Sequence, residues 1–197
     1  GALDMGVALV EHEDLASLSP QELMRREKAI ADRFMGGVPW GAVAWGLGNF
    51  VVWLSLWPLT LSGVLPLWAA CPAAVLCCCL SYLPSHEAQH RIIARPGEKL
   101  FWLNELVGHL STIPIVLPYE VARLTHYEHH QHTNHPTLDP DIATRANSAG
   151  DLILKSIANR QPGAKANARY GETLRRLGTP EAARAGLMAL AFQLTYV

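Results

Sequence analysis

Between Phe34 and Ser85 the chain carries no Asp, Glu, Lys or Arg. A helix that crosses the hydrocarbon core of a bilayer needs about 20 apolar residues. The uncharged run is long enough for two, read as spans at about 38–61 and 63–83. The link Thr60-Leu61-Ser62-Gly63 is short and uncharged, so the two spans form a tight hairpin. Soluble core helices rarely continue so far without a charge, which sets aside a buried pair in a soluble domain. Half of the residues are hydrophobic and 17% are charged, against roughly 25% in soluble domains. The expected fold is therefore an all-α, multi-pass membrane protein. Trp40, Trp45, Trp53, Trp57, Trp68 and Trp102 fall near proposed span ends or inside spans, and interfacial anchoring accounts for most of them.

Basic residues set the orientation. Arg25, Arg26, Lys28 and Arg33 precede the first span; Arg91, Arg95 and Lys99 follow the second, and the hairpin has none. Positive flanks stay in the cytoplasm, so everything just after the second span is expected there. Residues 1–37 lack a cleavable-signal pattern and contain a capping box, Ser19-Pro20-Gln21-Glu22, with proline at the first helical position. They form a cytosolic or interfacial segment before a membrane domain at 38–197. Pro96-Gly97 is expected to break the helix that leaves the second span. Leu100 to Leu117, interrupted by Asn104, Glu105, His109 and Pro114, reads as an interfacial helix. From Ala143 to Ala185 eight Lys/Arg stand against three Asp/Glu, a basic stretch suited to anionic head groups. The chain begins with Gly1 and stops at Val197 within an apolar run, so a third span starting near 186 and cut short is expected. Cys71, Cys77, Cys78 and Cys79 all fall in the apolar run and act as small hydrophobes. No basic, aromatic-interleaved patch points to nucleic acid.

Five of the nine histidines lie in Thr125–Asp141, at 126, 129, 130, 132 and 135. Positions 126, 129 and 130 are spaced i, i+3, i+4, one face of a helix with neighbours roughly 5–6 Å apart. His86 and His90 are i, i+4. Two such faces brought together offer five imidazoles to metal. Alone, His86-Glu87-Ala88-Gln89-His90 also matches a zinc-peptidase signature with Glu87 as general base. A zinc peptidase needs one further ligand and has no use for a dense second cluster, whereas imidazole also suits iron. A histidine-rich metal carrier is a third reading; an uncharged hairpin with nothing polar inside to line a path argues against it.

Taken together, these motifs resemble the membrane fatty acid desaturase and hydroxylase superfamily. The likeness rests on His-x3-His after a transmembrane hairpin (His86, His90) and His-x2-His-His some forty residues on (His126, His129, His130). Leu117-Pro118-Tyr119, Arg123, Thr133-Asn134 and Asp139-Pro140-Asp141 around the second box are similar too. The resemblance implies a non-haem di-iron centre, with His86, His90, His126, His129 and His130 as iron ligands. It implies O2 as co-substrate, a lipid acyl chain to be desaturated or hydroxylated, and electrons from a ferredoxin or cytochrome b5. Carotenoid ketolases and hydroxylases share the boxes and form an alternative. A bacterial inner membrane is favoured over the endoplasmic reticulum. The family's third histidine box follows two further spans and the chain ends before it, so the chain as it stands is not expected to hold two irons or to turn over. His132 and His135 lie outside the pattern and are read as solvent-exposed, and His109 as packed and hydrogen-bonded. Glu87, Asp139 and Asp141 are candidates to accept a hydrogen bond from a ligand imidazole and fix its tautomer; Asp139 and Asp141 read equally well as a turn.

Overall fold

A computed structural model describes residues 18–34, 37–159 and 165–196. The rest of the N-terminal segment, part of the basic stretch and the last residue of the expected third span lie outside them. The chain divides into two units, 1–38 and 39–197. The first contains helix α1 (Pro20–Phe34), opened by the capping box: Glu22 N–H donates to Ser19 Oγ at 3.3 Å. The Ser19 hydroxyl in turn donates to the Glu22 carboxylate at 3.2 Å.

The second unit is helical throughout its described residues. Helices α2 (Trp40–Leu61) and α3 (Leu67–Gln89) are long and apolar enough to cross a membrane. They form the hairpin, turning at Gly63, whose φ of +76° favours a residue without Cβ. Large apolar side chains cover the outside of the pair, including Trp57, Leu61, Val64 and Trp68, as a lipid-facing surface requires. Polar groups do stand inside it, contrary to the sequence reading. Asn49 donates its amide to Ser81 Oγ at 2.8 Å and to the Cys77 carbonyl at 2.9 Å, joining the two helices. Its donors are used in packing rather than in lining a path. None of the four cysteines forms a disulfide among the described residues, and Cys78 Sγ donates to the Pro114 carbonyl at 3.1 Å.

The second helix is longer than the expected span and carries His86 in its last turn, with His90 as C-cap. Pro96-Gly97 does not end it. The stop is a Schellman motif: Arg91 takes φ +56°, Arg91 N–H bonds the Ala88 carbonyl at 2.9 Å, and Ile92 N–H bonds the Glu87 carbonyl at 3.1 Å. An arginine in this left-handed position gives no glycine signal to read.

Helix α4 (Phe101–Thr112) packs against both α2 and α3. Its Asn104, which breaks the apolar pattern, is fully buried. The glycine at 108 explains how close the next element comes. A Cβ there would meet the Tyr119 ring at 2.4 Å. Helix α5 (Tyr119–His132) starts after Pro118, whose extended backbone places it as N-cap. A 3₁₀ turn (Ile142–Thr144) leads to α6 (Ala149–Asn159), α7 (Lys165–Leu177) and α8 (Pro180–Tyr196). Val121 of α5, Leu174 of α7 and Ala182 and Ala185 of α8 form one buried cluster. Arg123, buried on α5, pairs with Glu181 on α8. The last helix therefore begins six residues before the apolar run, with Glu181 and Arg184 in its first turns.

Candidate metal centre

The end of α3 and the middle of α5 meet through their histidines. The His86 and His90 rings lie 4.6 Å apart, and each lies 4.7 Å from His126. His126 Nε2 stands 2.9 Å from His90 Nε2 and 3.0 Å from His130 Nε2. One nitrogen from each of His86, His90, His126 and His130 falls within 4.8 Å of all the others. A neutral imidazole has one donor and one acceptor nitrogen. His126 Nε2 cannot satisfy two facing imidazole nitrogens and also avoid lone-pair repulsion among the rest. A cation at the centre resolves that conflict, so the donor set fits a metal that accepts imidazole.

The environment favours the neutral rings that metal binding requires. Burial, then the neighbouring His86, His90, His130 and His129, push His126 down to about 4. Burial, then His86 and His130, also lowers His90.

The fifth histidine of the expected set stands beside the four, its ring 6.2 Å from His126 and 5.8 Å from His130. Its Nδ1 is held by Asp139 Oδ1 at 2.8 Å. A carboxylate accepts only, so Nδ1 carries the proton and Nε2 keeps its lone pair. Asp139 is 2% exposed and is itself anchored: Asn134 N–H donates to Oδ2 and Asp141 N–H to Oδ1, both at 2.8 Å. These bonds and His129 outweigh burial and lower its pKa. Asn134 takes φ +64°, a left-handed conformation that asparagine tolerates, to aim its N–H. The two readings of Asp139, turn and imidazole partner, are one structure.

Asp141 Oδ2 is 3.9 Å from His129 Nδ1, while its Oδ1 accepts from Tyr170 Oη at 2.8 Å. The Glu87 carboxylate makes no hydrogen bond or ion pair among the described residues. His135 is exposed and its Nδ1 accepts from Leu138 N–H at 3.1 Å, closing a turn. His132 is partly buried, 3.7 Å from Glu128. His109 pairs with Glu120 at 3.2 Å, packed and bonded as its sequence reading has it.

Behind the histidines lies a network that the sequence reading missed. Tyr119 Oη donates to the Ala88 carbonyl at 2.8 Å, and Asn104 donates to the same carbonyl at 3.1 Å. The bonded carbonyl sits midway between His86 and His90, so α4 and α5 grip α3 at its ligand-bearing turn. The only sequence signal was Asn104, a polar break in an apolar stretch. On the other side a groove of about 870 Å³ runs from Ala74, Val75 and Cys78 past Tyr82 to His126, Asp141 and Tyr170. His126 is the member of the histidine cluster that lines it.

Comparison with known proteins gives the same direction. Residues 62–192 match the fatty acid desaturase family. The sn-1 oleoyl-lipid 12-desaturase of Anabaena variabilis is 39% identical over 62 residues, 32% of this chain and 16% of that protein. The sn-1 acyl-lipid omega-3 desaturase (ferredoxin) of Nostoc sp. (strain 36) is 37% identical over 52 residues, covering 26% and 13%. The zeaxanthin 4-ketolase of Chlamydomonas reinhardtii is 34% identical over 62 residues, covering 31% and 13%. The matched stretch thus spans well under a quarter of each relative's length. No solved structure is significantly similar. Because the family match covers more than half of the sequence, a stretch that contains His86, His90, His126, His129 and His130, the chain belongs to the fatty acid desaturase family.

Proposed function

We propose that this protein contributes the first two histidine boxes of a membrane-bound non-haem di-iron oxygenase that desaturates or hydroxylates a lipid acyl chain. The observation that carries the reading is the meeting of four imidazoles, one of which, His126, lines a groove shared with Ala74, Val75 and Cys78. His86, His90, His126, His129 and His130 are the iron ligands in this reading. The chemistry that iron supplies when bound is the activation of O2 to take hydrogen from an unactivated methylene.

The chain's own residues do the rest. Ala74, Val75 and Cys78 receive the tail, small or apolar side chains that give it no polar partner. Asp139 holds the proton on His129 Nδ1 and so keeps Nε2 free. Burial keeps His126 neutral. Desaturation consumes O2, two electrons and two protons and yields a double bond and two waters. A ferredoxin is the favoured donor, since one relative is named for it. Both boxes face the cytosol in this reading, because the basic residues flank the hairpin on that side, and a bacterial inner membrane is the favoured site.

A carotenoid as substrate is the second reading, supported by the zeaxanthin 4-ketolase relative. The zinc-peptidase reading gains nothing, as the Glu87 carboxylate bonds no side chain of the cluster among the described residues. The test is anaerobic Fe(II) titration of the protein in nanodiscs, followed by metal analysis. Saturable Fe(II) binding that is lost in His90→Ala and His126→Ala supports the proposal. Preferential, stoichiometric zinc with peptide cleavage dependent on Glu87 would overturn it.

A further inference from the structure

We propose that Tyr170, on α7, is a positioning residue for His129, acting through Asp141. The inference rests on the metal-centre reading above. Tyr170 lies far from both histidine boxes in sequence, yet its ring packs on the buried cluster of Val121, Leu174, Ala182 and Ala185. That packing fixes where its hydroxyl points. The hydroxyl donates to Asp141 Oδ1 at 2.8 Å, and the Asp141 backbone N–H donates to the same Asp139 oxygen that holds His129 Nδ1.

Two consequences follow from these bonds. First, Asp141 Oδ2 is only 3.9 Å from His129 Nδ1. A free Asp141 carboxylate would compete with Asp139 for the imidazole proton and let the ring take two orientations. The Tyr170 bond occupies Asp141 and leaves one. Second, the loop from Asn134 to Asp141 carries no helix of its own and is held from α7. Arg176 Nη2 donates to the Leu138 carbonyl at 3.1 Å and stands 2.8 Å from Glu128 Oε2 on α5. Helix α7 therefore works as a brace: Arg176 fixes the loop to α5, and Tyr170 fixes the carboxylate at its end.

The experiment uses the full chain in nanodiscs with ¹⁵N-labelled histidine, and Co(II) as the metal probe. In the metal-free parent the bond to Asp139 is expected to slow exchange of the His129 Nδ1 proton with water. Tyr170→Phe keeps the ring and removes only the hydroxyl. It is expected to speed that exchange by about tenfold, in line with one buried hydrogen bond, and to weaken Co(II) affinity by about tenfold. Asp141→Asn removes the competing carboxylate, so it is expected to leave the exchange near the parent rate and to cancel the effect of Tyr170→Phe in the double variant. Should Tyr170→Phe fail to fold by circular dichroism, Tyr170→Met, which also keeps an apolar side chain and lacks the hydroxyl, decides. Unchanged exchange in the Tyr170 variant, or an effect of Tyr170→Phe that persists in the Asp141→Asn background, overturns the role given to Tyr170. A parent that binds no Co(II) overturns the metal reading instead, while the exchange rates still decide the positioning role.

Discussion

His126 stands where the two boxes touch, and its chemistry sets the pH range of the centre. Its folded pKa of about 4 lies below the usual value of 6.5, so the unfolded chain binds more protons between those two limits. Stability of the metal-free protein therefore falls as pH drops from 6.5 towards 4. Histidine-resolved NMR should find His126 mostly neutral in that window, with its midpoint at the low end, near 4; a midpoint near 6.5 would contradict the buried cluster. Asp139 gives a second residue-scale prediction. Asp139→Asn removes the carboxylate that fixes His129, and metal affinity should drop roughly 10- to 100-fold. Helical spacing made the ligand candidates legible in sequence. Asp139 was half legible, because a turn and an imidazole partner look alike until the His129 contact is seen.

Between elements, packing at α4 and α5 decides whether the histidine faces meet. Gly108 lets the Tyr119 ring lie against α4, and Tyr119 reaches through to the Ala88 carbonyl. Gly108→Ala should cost about 1–3 kcal/mol by overpacking, read as a lower melting temperature in detergent and weaker metal binding together. The same two helices are tied by His109 and Glu120. The hydrogen bond to Glu120 raises His109 despite burial, and Glu120 is lowered by the same bond. A raised histidine stabilises the fold fully below about 6.5, and that contribution fades as pH rises through the raised value. Glu120→Gln should return the His109 midpoint towards 6.5 and flatten this part of the stability profile, measured by NMR titration and thermal unfolding. Neither contact was visible beforehand: a glycine in an apolar stretch carries no mark of what leans on it, and Glu120 looks like ordinary helix-start acidity.

At the scale of the molecule, membrane residence and metal binding separate. Both helices of the hairpin expose large apolar side chains, and His86 sits at one end of α3. His86→Ala should thus remain in the membrane pellet after alkaline washing while losing metal; release into the supernatant would show that the cluster also holds the hairpin in place. Sequence alone determined the all-helical membrane class, the hairpin and the faces on which the histidines lie, because charge exclusion and helical periodicity act over neighbouring residues. Only the tertiary structure decided which four imidazoles converge, that Asp139 holds the fifth, that Tyr119 of α5 bonds the Ala88 carbonyl of α3, and that Tyr170 of α7 bonds Asp141. Those contacts join residues separated by up to about forty positions, and no local pattern encodes which side chains long-range packing brings within 3 Å.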